Sequence, residues 1–173
     1  MLPDNFFTQL MENEGIYSDD KADSGGKTIY GISRNNFPNA FDSVMQSYNA
    51  GNIDEAKQKA KTFYEAKFWN PLYDQINKSN VQFRLFDFGV NAGKNTAVKL
   101  LQQTLNNNHF RNVLDEDGIF GTKSLLAINA ADDNLYDYYN ATIESFYRNL
   151  VSKNENDEKF LQGWLNRLGK LPA

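Results

Sequence analysis

The chain has 173 residues, a formal net charge of −4, no cysteine and a single histidine. That length fits one domain and can bury a core without disulfide staples. Thiol nucleophiles are excluded, one histidine cannot supply the donors of an ordinary zinc site, and the acidic balance offers no basic face for nucleic acid.

In chain order, the N-terminus MLPDNFF has neither the basic start nor the apolar stretch of a standard signal peptide. No run reaches transmembrane length. Synthesis in the cytoplasm without a recognisable export signal is therefore expected. Phe6, Phe7, Leu10 and Met11 recur at helical spacing, which predicts a helix from Leu2 to Glu14. Asp4 suits its first turn and Gly15 its stop. Residues 16–32 read as a loop and short hairpin, with Ser24-Gly25-Gly26 as the turn and Thr28-Ile29-Tyr30 as strand. A short helix is expected from Ser33 to before Pro38, and another over 40–49 ending at Gly51.

Residues 53–68 are predicted helical, with Ile53, Ala56, Ala60, Phe63 and Tyr64 facing inward and Asn70-Pro71 as the break. Residues 80–92 carry Phe83, Leu85, Phe86, Phe88 and Val90, which leaves almost no polar face and predicts a central buried helix. Arg84, Asp87 and Asn91 fall on one stripe of it. Either Arg84 and Asp87 pair while Asn91 caps the helix, or the stripe lines a cleft. Further helices are expected over 95–106, Thr122–Ala130, Leu135–Val151 and a last segment through Phe160, Leu161, Trp164 and Leu168.

His109 lies in the polar run Asn106–His109 and has no partner motif, so it is expected to be a loop histidine in solvent. Asp115-Glu116-Asp117-Gly118 hints at a calcium loop, but Leu126 stands where the closing glutamate would fall. A turn with a helix N-cap is expected instead. No metal or cofactor is implied. No Pro-, Gly- or Ser-rich linker divides the chain, so residues 1–173 read as one compact, mainly α domain with a small β-hairpin region after the first helix.

The chemistry concentrates between Glu12 and Ser33. Glu14 sits in the last turn of its helix, where unsatisfied carbonyls carry partial negative charge. That field, like a lining of Phe and Tyr, favours the protonated carboxyl, the form a general acid needs. Protonating a glycosidic oxygen is such a task. Asp23 is the first candidate for a second group that positions water or steadies positive charge, and Thr28 the second. Asp19 and Asp20 are alternatives to Asp23.

Glu14-Gly15-Ile16-Tyr17, Asp23-Ser24-Gly25-Gly26 and Thr28-Ile29-Tyr30-Gly31-Ile32 resemble the opening block of the family 108 glycoside hydrolases. Phe68-Trp69-Asn70-Pro71, Phe86–Gly93 and Asp117–Gly121 are similar to the peptidoglycan-binding-type region that follows in that family, and Phe160–Leu168 to its closing helix. The resemblance implies a lysozyme-like fold, with a glycosidase part over 1–78 completed by a peptidoglycan-binding-type part over 79–173. It also implies Glu14 as the catalytic glutamate, and cleavage of the β-1,4 bond between N-acetylmuramic acid and N-acetylglucosamine. Asp23 and Thr28 then serve as helpers. Tyr17 and Tyr30 are expected to stack on sugar rings, and Asp87 and Asn91 to line the cleft. The partner is the glycan strand of peptidoglycan, and the place of action is the cell wall. Two rivals remain: a non-catalytic peptidoglycan-binding or secretion factor, and a lytic transglycosylase. One departure stands out. Ile16 replaces the second glycine of the family's E-G-G-Y block, and a β-branched residue resists positive φ.

Overall fold

The computed structural model describes residues 1–14, 16–18, 26–107, 109–154 and 157–171. The fold is mainly α, with a three-stranded antiparallel sheet after the first helix. Two compact units divide at Trp69 and Asn70.

The first unit opens with α1 (Asp4–Glu14), which buries Phe6, Phe7 and Leu10 at the predicted spacing. The strands β1 (Tyr17–Ser18), β2 (Thr28–Ile29) and β3 (Ile32–Ser33) follow in sheet order β1-β2-β3. Tyr17 pairs with Ile29 and Ser18 with Thr28; on the other edge Thr28 pairs with Ser33 and Ile29 with Ile32. Tyr30 is therefore a turn residue, not the third residue of a strand. The helix expected from Ser33 to Pro38 is absent, and β3 and a turn occupy that stretch. Pro38 opens α2 (Pro38–Asn49) instead of stopping a helix, since its fixed φ and missing N–H suit a first helical position. Helix α3 (Ile53–Phe68) packs on α2 and buries Ala56, Ala60 and Tyr64. Ile53, expected to face inward, is exposed at the helix start.

The second unit begins with a 3-10 turn, Pro71–Gln75, which the sequence pattern did not suggest. Asn70 caps it, its Oδ1 accepting from Leu72 N at 2.9 Å. Helix α4 (Ser79–Ala92) is buried over most of its length and packs against α5 (Lys94–Asn106) and α7 (Leu135–Lys153). Helix α6 (Thr122–Ala130) packs on the 3-10 turn, and α8 (Glu158–Leu168) lies on α7. No residue of α8 is fully buried. Its Trp164 stacks on Tyr147 of α7, with ring centroids 4.9 Å apart. His109 is an exposed turn residue, as expected, but it has partners. Its Nε2 lies 2.7 Å from Asp132 Oδ2, and its ring stacks on Tyr138.

Buried polar groups must find partners, and in α4 most do, with Arg84 Nε left over. Arg84 is fully buried and Asp87 is 1 % exposed. Arg84 Nη1 donates to Asp87 Oδ2 at 3.2 Å, and Arg167 of α8 donates through Nε and Nη2 to the same carboxylate at 2.8–3.1 Å. Arg84 also donates to the carbonyls of Arg167, Leu168 and Lys170 and to Tyr136 Oη. Two guanidinium charges thus meet one carboxylate, and the C-terminal carbonyls of α8 absorb the excess positive charge.

Candidate active site

Glu14 is the last residue of α1 and is half-buried. Its side chain rests on the tip of the β2–β3 hairpin. Tyr30 and Gly31 form that two-residue tip, with φ of 48° and 73°. Positive φ at both central residues is the type I′ pattern, whose twist matches the strands. Gly31 is required twice. Its φ suits glycine, and there is no room for a side chain. A Cβ on Gly31 would stand 2.9 Å from Glu14 Cβ and Cγ and 2.6 Å from Tyr64 Oη.

Tyr30 pays for its left-handed conformation, an arrangement that costs about 1–3 kcal/mol for a non-glycine residue. Tyr64 offsets the cost. From the buried face of α3 its hydroxyl donates to the Tyr30 carbonyl at 2.8 Å. Tyr30 itself is 2 % exposed and meets Tyr48 edge-on. Glu14, Gly31, Tyr30 and Tyr64 therefore form one packed assembly in which the hairpin tip backs the carboxylate-bearing chain.

Ile16 causes no strain. Among the described residues, positive φ outside glycine occurs at Tyr30 and Arg111. The Ile16 carbonyl accepts from Tyr30 N at 2.7 Å, and its side chain is exposed. Ile16 thus needs no positive φ where the block it resembles has glycine.

Thr28 lies half-buried in the central strand, three residues before Gly31. Tyr17 is 43 % exposed on the edge strand, with a ring available to a ligand. Asp23, with its alternatives Asp19 and Asp20, lies outside the described residues. Two expectations need correction. Tyr30 is a core residue whose ring has no free face for a sugar. Asp87 is spent on Arg84 and Arg167 and does not line a cleft. Asn91, on the same stripe of α4, is exposed. Tyr64 and Gly31 are the site residues that sequence patterning missed. A tyrosine on a core helix face needs a partner for its hydroxyl, and that was the available signal. Among the described residues no group of three or more acidic or histidine side chains could hold a metal ion.

The model of the family described as "Glycosyl hydrolase 108" matches residues 7–93. The chain belongs to that family. A second model, described as "Predicted Peptidoglycan domain", matches residues 96–169. No curated protein matches the chain. Among solved structures, one titled "Structure of Brucella abortus SagA" is similar with a TM-score of 0.65 and 23% identity, covering 94% of this chain and 86% of that chain. This likeness bears on the fold, which is lysozyme-like. As a family 108 member the chain is a glycoside hydrolase, and its two matched regions make peptidoglycan its substrate class. Among the described residues no helix is long and apolar enough to cross a membrane.

Two predictions test the hairpin assembly. Gly31→Ala is expected to cost about 1–3 kcal/mol in chemical denaturation, from overpacking and forced φ together. Turnover should fall with it, because the new methyl displaces Glu14. Tyr64→Phe keeps the ring and removes only the hydroxyl. It leaves the buried Tyr30 carbonyl unpaired, for a loss of about 1–3 kcal/mol. Steady-state kinetics should then show a lower kcat with little change in KM.

Proposed function

We propose that this family 108 enzyme hydrolyses the β-1,4 bond between N-acetylmuramic acid and N-acetylglucosamine, with Glu14 as general acid. The observation that carries this reading is the seating of Glu14 at the end of α1 against the Tyr30–Gly31 tip. A group transferring a proton must be held in register with the scissile oxygen, and a backbone turn is a stiffer support than a mobile side chain. Glu14 gives its proton to the glycosidic oxygen as the bond to the muramic acid anomeric carbon breaks. Water adds to that carbon, and its proton leaves to a carboxylate base. Asp23 takes the second role in this scheme, and Thr28 helps to orient the water.

Tyr17 serves as a stacking platform, in keeping with its exposed ring on the sheet edge. Asn91 is kept as a glycan contact of the second unit. The reaction needs no metal. The action is at the cell wall, where the substrate is. The deciding assay measures reducing ends released from purified peptidoglycan. The wild-type protein should release them, with muramic acid at the new reducing terminus. Anhydro-muramic acid termini would instead mark a transglycosylase that excludes water from the displacement.

A further inference from the structure

Strand β1 has one open edge. The sheet order is β1-β2-β3, so β1 lies at its margin. Tyr30 N donates to the Ile16 carbonyl at 2.7 Å where the chain of β1 meets that of β2. Bonded and open pairs alternate along an antiparallel ladder. The next pair, Tyr17 with Ile29, is therefore the open kind, and Ser18 with Thr28 is bonded again. Tyr17 thus turns its N–H and its C=O away from β2. Neither group has a hydrogen-bond partner among the described residues.

The side chains at this edge are a second, independent observation. They alternate between the two faces of a strand, so Ile16 stands on one face and Tyr17 on the other. Both are exposed, 56 % and 43 %. No Lys or Pro blunts the edge, and a strand left in this state is a template for another chain. Large apolar flanks on both faces keep water from competing for the donor and the acceptor.

Placement and geometry narrow the occupant. Tyr17 follows Glu14 by three residues, so their backbones are at most about 11 Å apart. That puts the edge within reach of a substituent on the sugar at Glu14. A single trans amide sets its N–H and C=O in opposite directions, so a sugar acetamido group cannot satisfy both groups of Tyr17. An amino-acid residue in an extended chain points both to the same side and satisfies the two together.

We propose that the open edge of β1 binds the stem peptide carried by the muramic acid at the scissile bond, its first residue pairing with Tyr17 N–H and C=O by strand addition. The inference rests on Glu14 acting on the muramic acid glycosidic bond. It gives the site a preference for peptide-bearing sugar. Ile16, where the family block has glycine, becomes a specificity-determining residue that covers the added peptide on one face.

The test uses the full chain, labelled for NMR. The probes are N-acetylmuramic acid carrying an alanyl-glutamyl peptide and the same sugar without it. The peptide probe should shift the Tyr17 amide downfield, and the bare sugar should leave it unmoved. Two variants isolate the donor. Proline is tolerated on an edge strand whose N–H faces outward, so Tyr17→Pro removes that N–H while Tyr17→Ala keeps it, and both lack the ring. Tyr17→Pro should bind the peptide probe about fivefold more weakly than Tyr17→Ala, the worth of one hydrogen bond. Ile16→Ala should weaken binding about threefold through lost apolar contact. The proposal is overturned by a Tyr17 amide that moves equally with the bare sugar, by equal affinity of the proline and alanine variants, or by unchanged affinity in Ile16→Ala. Tyr17 shifts that follow protein concentration without any probe would mark two copies pairing edge to edge and overturn it too. A hydrolysis assay on glycan strands keeps the two readings apart. Cleavage with no Tyr17 shift rejects the peptide edge alone. A Tyr17 shift without cleavage supports the edge and counts against the catalytic reading.

Discussion

Glu14→Gln is expected to lower turnover on purified peptidoglycan by about 10²–10⁴-fold, the usual worth of a general acid, with the fold intact. Glutamine keeps the size and the contacts of Glu14 with the Gly31 tip but has no proton of suitable acidity to give. The loss should appear in kcat and kcat/KM together, which marks an interaction made in the transition state. Binding to sacculi should change little. The hairpin variants lower activity by a different route. Gly31→Ala and Tyr64→Phe move or loosen the acid and also lower stability, whereas Glu14→Gln should not. Circular dichroism and a melting curve on each variant separate chemistry from positioning.

Asp87→Asn is expected to be the most destabilising single change in the second unit, by about 3–5 kcal/mol. Asp87 is shared between the guanidiniums of Arg84 and Arg167. Its loss leaves two positive charges together, one of them fully buried, with backbone carbonyls and the Tyr136 hydroxyl as neutral acceptors for Arg84. The cost is the penalty of unpaired buried charge and not the net worth of the pair. Replacing the whole set by apolar residues would therefore cost far less than removing Asp87 alone. Calorimetry on the variant checks the size of the effect. A sugar-binding Asp87 would give the opposite pattern, a raised KM at unchanged melting temperature.

Much of the architecture was legible in the residues because helices announce themselves by spacing. The faces of α1, α3, α4 and α5 follow from the positions of their apolar side chains, and the breaks at Gly51 and Asn70-Pro71 follow from backbone chemistry. Pro38 was misread because proline is compatible with both a stop and a start. Only the residues after it distinguish the two, and Phe41 and Val44 face the core from α2. Tyr30 was misread because Thr-Ile-Tyr has strand character, while the backbone at Tyr30 is set by a tertiary bond from Tyr64, 34 residues away. The Arg84–Asp87 stripe could be read two ways until a third partner, Arg167, appeared from α8, 80 residues on.

The same contrast holds for the site. Glu14 was legible as a carboxylate at a helix end, and the family match over residues 7–93 includes it. Its support was not legible, because contacts among Glu14, Gly31 and Tyr64 join three elements. The family boundary also differs from the structural one. The glycosyl hydrolase match runs to residue 93, yet α4 within it belongs to the second compact unit and packs on α5 and α7. Truncation at residue 93 would strip α4 of those partners and expose its buried apolar face.

The most direct test is mass spectrometry of the fragments released from purified peptidoglycan by the wild-type protein and by Glu14→Gln, side by side. The expected result is fragments ending in reducing N-acetylmuramic acid from the wild type and almost none from the variant. Equal release by both proteins, or no release by the wild type, would contradict Glu14 as the acid that cleaves the glycan.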